Sequence, residues 1–122
     1  TLTAKGIRFA VASNKYQEAT EELVTRYFGP YRFACVLGQR ERHPIKPDAG
    51  IIFEAMASCE GVRPDEVIYC GDSDVDMQTG INAGVKTVGV TWGFRSREEL
   101  AAYSPCLLAD NPEEIHNFIA LT

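Results

Sequence analysis

One hydroxyl, one ammonium and two carboxylates in this sequence are placed where a phosphate and a divalent cation could be held. Ser13 closes the apolar run IRFAVA and is followed by Asn14 and Lys15. A hydroxyl and successive backbone N–H groups between a strand and a helix make a ready anion site, although such a serine also serves as a helix cap. Lys46 lies in HPIKPDAG, where Pro44 and Pro47 restrict the backbone on both sides. An ammonium on so stiff a loop meets an anion with little lost freedom, whereas a lone loop lysine is ordinarily just solvated. Asp72 and Asp76, in GDSDVDM, are four residues apart and face the same way on a helical turn. Neighbouring carboxylates repel unless a cation or proton intervenes, and their hard oxygens suit Mg2+, which also accepts water and phosphate oxygens in its shell. Helix capping competes for the same cluster and is the role expected of Asp74. His43 reads as a solvated loop histidine, Asp48 as a helix cap and His116 as a structural residue of the last helix.

The segments that must position these residues alternate in type. Short apolar runs at 7–12, 33–37, 67–70 and 86–91 read as buried strands, and 106–109 reads as a short edge strand. Between them lie helical patterns. The first covers 15–28, with a stripe of Ala19, Leu23, Val24, Tyr27 and Phe28 stopped by Gly29-Pro30. Others follow at 48–60, from the Asp-rich segment to Ala83-Gly84, at 97–103 and at 112–121. Alternating strands and helices imply right-handed crossovers and a parallel sheet. Strands that are continuously apolar imply helices on both faces. The expected architecture is therefore α/β, a three-layer Rossmann-like parallel sheet. In such a sheet ligands sit beyond the carboxyl ends of the strands. Ser13, Lys46, Asp72 and the Thr91-Trp92-Gly93 segment all fall at such ends.

Size and composition narrow the classes. At 122 residues the chain reads as one domain, 1–122, able to hold a core without disulfides. A net charge of −5 argues against a nucleic-acid partner. No apolar run is long enough to span a membrane, and the start, TLTAKG, has no secretory signal pattern; a cytoplasmic location is expected. Cys35, Cys59, Cys70 and Cys106 include no C-x-x-C pair, so a zinc or dithiol motif is not expected; they read as buried free thiols in a reducing compartment. Thr1 stands in what reads as the tail of a helix, so the sequence is expected to be a piece of something longer.

The ordered set VASNK, KPDAG and GDSDVDMQTGINAG resembles the second, third and fourth motifs of the haloacid dehalogenase-like hydrolases, most closely the phosphoglycolate phosphatase group. Ser13 matches the hydroxyl of the second motif, Lys46 the lysine of the third, and Asp72 and Asp76 the acidic pair of the fourth. Ala49 departs from the family, where a second proline is frequent. The resemblance implies a Mg2+-dependent phosphatase of small phosphate monoesters, with a phosphorylated metabolite as partner, acting through an aspartyl-phosphate. It implies Lys46 and Asp72 as catalytic residues, Ser13, Asn14 and Lys46 as the phosphate contacts, and Asp72 and Asp76 as the metal ligands. The family's first motif, an apolar strand followed by D-x-D-G-T, does not occur in these residues, nor does its mobile cap. The resemblance thus implies a nucleophile on an N-terminal segment of the same protein, a missing central strand in a sheet of order 3-2-1-4-5, and little activity for this piece alone. Two other readings compete. A receiver domain has similar residues in a different order, and a non-catalytic anion- or metal-binding module, or degenerate family member, would keep the fold without turnover.

Overall fold

The alternation of strands and helices sets up an α/β fold whose strand pairs, among the described residues, are all parallel. The computed structural model describes residues 7–28, 33–41, 43–59, 61–93 and 95–120. Its elements run β1 (Ala10–Tyr16), α1 (Gln17–Phe28), β2 (Cys35–Gln39), α2 (Gly50–Ala57), β3 (Ile68–Gly71), α3 (Asp74–Ala83), β4 (Lys86–Val90), α4 (Arg97–Ala101), β5 (Leu107–Ala109) and α5 (Pro112–Ala120). The chain divides into two compact units, Thr1–Val62 and Arg63–Thr122. The first holds a two-stranded sheet, β1-β2, and the second a three-stranded sheet, β3-β4-β5. No helix among the described residues is long and apolar enough to cross a membrane.

In the first unit, β1 begins later than its apolar run suggests and continues through the polar residues Ser13, Asn14 and Lys15. The pairing explains this. Ala10, Val11 and Ala12 lie opposite Cys35, Val36 and Leu37, and the register then shifts so that Tyr16 lies opposite Gln39. Three residues of β1 therefore face the single residue Gly38, a bulge that bows Ser13–Lys15 out of the ladder. Gly38 makes room for it: a Cβ there would collide with the Lys15 carbonyl oxygen and Gln17 Cα. The interrupted ladder is continued by a side chain. Gln17 Nε2 donates to the Val36 carbonyl at 2.8 Å, and the Gly38 N–H donates to Gln17 Oε1 at 2.6 Å.

α1 starts at Gln17, and its inward stripe is rotated from the expected one. Thr20 is buried and Val24 half-buried, while Ala19 and Leu23 are exposed. The side chains of Tyr27 and Phe28 lie outside the described residues. Thr20 can occupy the interior because its hydroxyl hydrogen is taken up by the Tyr16 and Lys15 carbonyls at 3.0 and 3.2 Å. α2 buries Ile51 and Ile52, as its pattern predicts, and Leu37 of β2 completes the buried apolar set of this unit among the described residues. Asp48 does not occupy the N-cap of α2, which falls on Ala49. Its carboxylate nevertheless accepts the N–H of Gly50, the first helical residue, at 2.8 Å.

In the second unit β4 is central, and Thr87–Val90 are all buried, as a strand covered on both faces requires. Met77, Val88, Leu100 and Ala109 are fully enclosed. α3 approaches β4 closely: a Cβ on Gly80 would fall inside the contact distance of the Thr87 side chain. The N-cap of α3 is Ser73, whose Oγ accepts the Asp76 N–H at 3.1 Å. The capping expected of Asp74 is thus performed by its neighbour, and Asp74 is the first helical residue. The helix ends on Gly84 at φ 72°, the left-handed position that glycine adopts without strain.

The cysteines depart from expectation. All four are free, but Cys70 and Cys106 are exposed and Cys35 and Cys59 only half-buried. Cys70 lies on β3, which among the described residues is paired on one side only, and Cys106 precedes β5, at the other margin of the same sheet. An apolar run identifies a strand without saying whether the strand is flanked.

Candidate functional site

The bulge in β1 and the loop after β2 bring the candidate residues of the first unit together. Asn14 and Lys46 are joined by two hydrogen bonds: the Lys46 N–H donates to Asn14 Oδ1 at 2.9 Å, and Asn14 Nδ2 donates to the Lys46 carbonyl at 3.3 Å. The Lys46 ammonium donates to the carbonyl of Ala12 at 3.4 Å, the residue immediately before Ser13. Ser13 Oγ accepts the Lys15 N–H at 3.1 Å, closing a small turn within the bulge. A hydroxyl, a carboxamide and an ammonium thus gather at the carboxyl-terminal side of β1. Pro47 follows Lys46 through a cis peptide bond.

The loop that carries Lys46 is braced at its start. Arg40 Nη1 donates to Glu54 Oε1 of α2 at 2.7 Å, and Nη2 donates to the second carboxylate oxygen. This bidentate pairing raises the Arg40 pKa and holds the Glu54 carboxyl below the usual carboxylate range. Arg40, Glu54, His43 and Pro44 line a cavity of about 100 Å³ together with Gly38, Gly50 and Ile51. A wider, open cleft of about 630 Å³ is lined by Tyr16, Gln39, Glu41 and His43 among others, at the ends of β1 and β2. His43 is exposed, its Nδ1 3.1 Å from the Glu41 carbonyl oxygen, in keeping with a solvated histidine. His116 is exposed on α5.

In the second unit Asp72 and Asp76 are neighbours at the end of β3 and the start of α3. Asp76 is only 7% exposed. Its Oδ2 accepts the Asp72 N–H at 3.1 Å, and its Oδ1 accepts the Tyr69 hydroxyl at 3.1 Å. Burial, and then the charge of Asp76, push the Tyr69 hydroxyl far above its ordinary pKa, so it stays a donor. Gly71 is needed here, since a Cβ on it would strike the Asp76 side chain. Asp72 is half-buried, and Gly93 packs directly against its carboxylate. Asp74 points elsewhere, to Arg95 at 3.2 Å, and Thr91 donates to Asp110 Oδ1 at 2.6 Å.

The donors on Asp72 and Asp76 are hard carboxylate oxygens, the chemistry Mg2+ selects. Among the described residues no group of three or more His, Cys, Asp or Glu side chains is assembled around a common point. Two protein carboxylates fit Mg2+ better than a metal that demands a full protein cage, because Mg2+ keeps waters and phosphate oxygens in its shell.

Gln17, Gly38 and Tyr69 support the candidate residues without having been singled out in the sequence, and Gly93 was noted only as part of the segment that ends the fourth strand. Tyr69 carries a legible signal, one hydroxyl in an otherwise apolar strand two residues before the glycine of the acidic motif. Gln17 and the two glycines do not, because their roles depend on residues far away in the chain.

Comparison with known proteins agrees with the motifs. The model of the family described as haloacid dehalogenase-like hydrolase matches residues 1–90. The pyrophosphatase PpaX of Anoxybacillus flavithermus is 28% identical over 122 residues, 100% of this chain and 56% of that protein. The phosphoglycolate phosphatase of Pseudomonas putida is 29% identical over 110 residues, 90% of this chain and 40% of that protein. The crystal structure of a protein from Lactobacillus delbrueckii subsp. bulgaricus superposes with a TM-score of 0.89 at 35% identity, covering 97% of this chain and 48% of that one. The chain spans about half the length of the curated relatives it matches.

Proposed function

Since the chain belongs to the haloacid dehalogenase-like hydrolase family, we propose that it is the phosphate- and metal-holding part of a Mg2+-dependent phosphatase of small phosphate monoesters. The observation that carries this reading is the cluster at β1: a lysine ammonium held 3.4 Å from the carbonyl of Ala12, the residue before Ser13, with its backbone tied to Asn14. Such a grouping of donors suits a phosphoryl group, whose oxygens gain negative charge during transfer. The reading includes a cytoplasmic location, where four free thiols stay reduced.

In this reading Ser13 and the Asn14 N–H hold phosphoryl oxygens, and Lys46 neutralises the charge between attacking group and phosphate. Asp72 and Asp76 hold Mg2+. When bound, the ion offsets the repulsion between an anionic attacker and an anionic substrate. Asp76 has a second task, accepting the Asp72 N–H and so fixing the backbone that carries the other ligand. The attacking carboxylate comes from outside these residues, on an N-terminal segment of the same protein, and forms an aspartyl-phosphate that water then cleaves. Neither Asp72 nor Asp74 replaces it: Asp72 belongs to the acidic pair, and Asp74 is paired with Arg95.

The test is an assay with p-nitrophenyl phosphate, 2-phosphoglycolate and pyrophosphate, with Mg2+ and with a chelator. The chain alone is expected to show no turnover above background. A protein extended upstream by an apolar strand and D-x-D-G-T is expected to turn over one of these substrates only with Mg2+. In that protein Lys46→Ala and Asp72→Asn should each lower kcat by roughly 100- to 1,000-fold. If both act on one phosphate, the double variant should lose much less than the product of the two. Enzyme-like turnover by the chain alone, abolished by Ser13→Ala or Lys46→Ala, would overturn the assignment of the nucleophile. An extended protein that binds phosphate without turnover would favour a non-catalytic binding module.

A further inference from the structure

The geometry points to the Asn14 carboxamide as a positioning residue that sets Lys46 for the phosphate, an inference that rests on the proposed reading of the site. The backbone N–H of Asn14 already has a role in that reading; the side chain has none. Yet its two ends engage the two backbone polar groups of one residue, accepting from the Lys46 N–H at 2.9 Å and donating to the Lys46 carbonyl at 3.3 Å. A carboxamide bonded in this way reproduces the pairing that a neighbouring strand would give. It ties a loop to a strand 32 residues earlier in the chain.

This tie connects to β1 a lysine that sits on a turn rather than on a helix or strand. The described residues between β2 and α2 form no helix or strand, and the prolines on either side of Lys46 remove backbone donors from the stretch. The Arg40–Glu54 pairing anchors the beginning of the loop, six residues before the lysine. Close to Lys46, the Asp48 N–H donates to the Ile45 carbonyl at 3.0 Å and closes a turn; Asn14 ties that turn to β1, and the ammonium reaches the Ala12 carbonyl. Asn14 itself is presented by the bulge opposite Gly38. The bulge thus exposes Ser13 to the ligand side and aims the next side chain at the loop carrying the cation, so one local irregularity places two groups.

Nuclear magnetic resonance of the chain as it stands gives the test, with inorganic phosphate as probe and two readouts: hydrogen exchange at the Lys46 amide and phosphate affinity followed on the Lys46 side chain. Asn14→Ala should speed Lys46 amide exchange and weaken phosphate binding, each by about tenfold, the effect of losing two neutral hydrogen bonds. Amides of β4 should exchange as before. Asn14→Asp keeps the acceptor and should restore most of the Lys46 amide protection. Asn14→Ser removes both bonds with a small polar residue and carries the comparison if the alanine variant does not fold. Faster exchange at Lys46 with unchanged phosphate affinity, while Lys46→Ala weakens that affinity, would overturn the positioning role alone. Unchanged exchange in Asn14→Ala and Asn14→Ser would overturn the clamp itself. Phosphate affinity indifferent to Lys46→Ala would instead overturn the underlying reading of the site.

Discussion

Asp76 is a carboxylate 7% exposed, with one oxygen on the Asp72 N–H and the other on the Tyr69 hydroxyl. Removing a hydrogen bond to a buried charge leaves that charge under-solvated and costs about 1.5–3 kcal/mol. Tyr69→Phe is therefore expected to lower the stability of the second unit by that amount in urea titrations near neutral pH. Burial and the Asp76 charge raise the Tyr69 pKa in the folded protein. The proton on Tyr69 therefore contributes stability that is fully present below the unfolded value of about 10 and is lost as pH rises toward the folded value. Wild type should lose stability in that alkaline range, and Tyr69→Phe should not lose that share. Parallel alkaline curves for the two proteins would show that the hydroxyl does not carry the charge of Asp76 in this way.

The same balance of opposing terms decides what happens where α3 meets β4. Gly80→Ala would improve intrinsic helix propensity by up to about 1 kcal/mol. Against this, the new methyl would overlap the side chain of Thr87, which is 5% exposed and stiff at its branched Cβ. Overpacking of a filled interface costs about 1–3 kcal/mol, so the net effect should be destabilising. A thermal melt should show a lower midpoint for the second unit, by roughly 4–8 °C for each kcal/mol lost in a unit the size of Arg63–Thr122. A raised midpoint would mean that helix and strand part at little cost. This contact also marks the limit of what the sequence discloses. The helix itself was legible from the Asp-rich start and the Ala83-Gly84 end, and the order of strands and helices from apolar periodicity. Their ends were less so. The first strand was expected at 7–12 and lies at Ala10–Tyr16, because its extent is set by pairing with residues 25 positions later and by the side chain of Gln17. The candidate residues Ser13, Lys46, Asp72 and Asp76 were legible as motifs. Their supports were not: the bond of Asn14 to Lys46 spans 32 residues and leaves no local pattern. Ser73 rather than Asp74 caps α3 because both residue types cap well, and only the chain path selects between them.

The two units differ in how much holds each of them together. Among the described residues the buried apolar set of the first is Leu37, Ile51 and Ile52, and β1 contributes no fully buried residue. The second encloses Met77, Ala83, Val85, Val88, Val90, Leu100 and Ala109 around a strand paired on both sides. A two-stranded sheet is marginal by itself and depends on the helices laid against it, whereas three strands with a buried face are self-supporting. Burial of apolar side chains contributes about 1.5–3 kcal/mol each, so the first unit should open more readily. Native-state hydrogen exchange resolves this directly. Amides of β4 should be the slowest in the chain, and those of β1 faster by roughly 10- to 100-fold, which corresponds to about 1.4–2.8 kcal/mol of opening free energy. Low urea should accelerate β1 and β2 together, before β4. In the proposed longer protein, an added apolar strand is expected to slow the exchange of β1 and β3, each of which has a strand on only one side among the described residues, and to bring the two units closer in stability. Equal protection of β1 and β4 in the present chain would mean that the first unit draws stability from something other than its own strands and buried side chains, and the case for an added strand would lose its energetic basis.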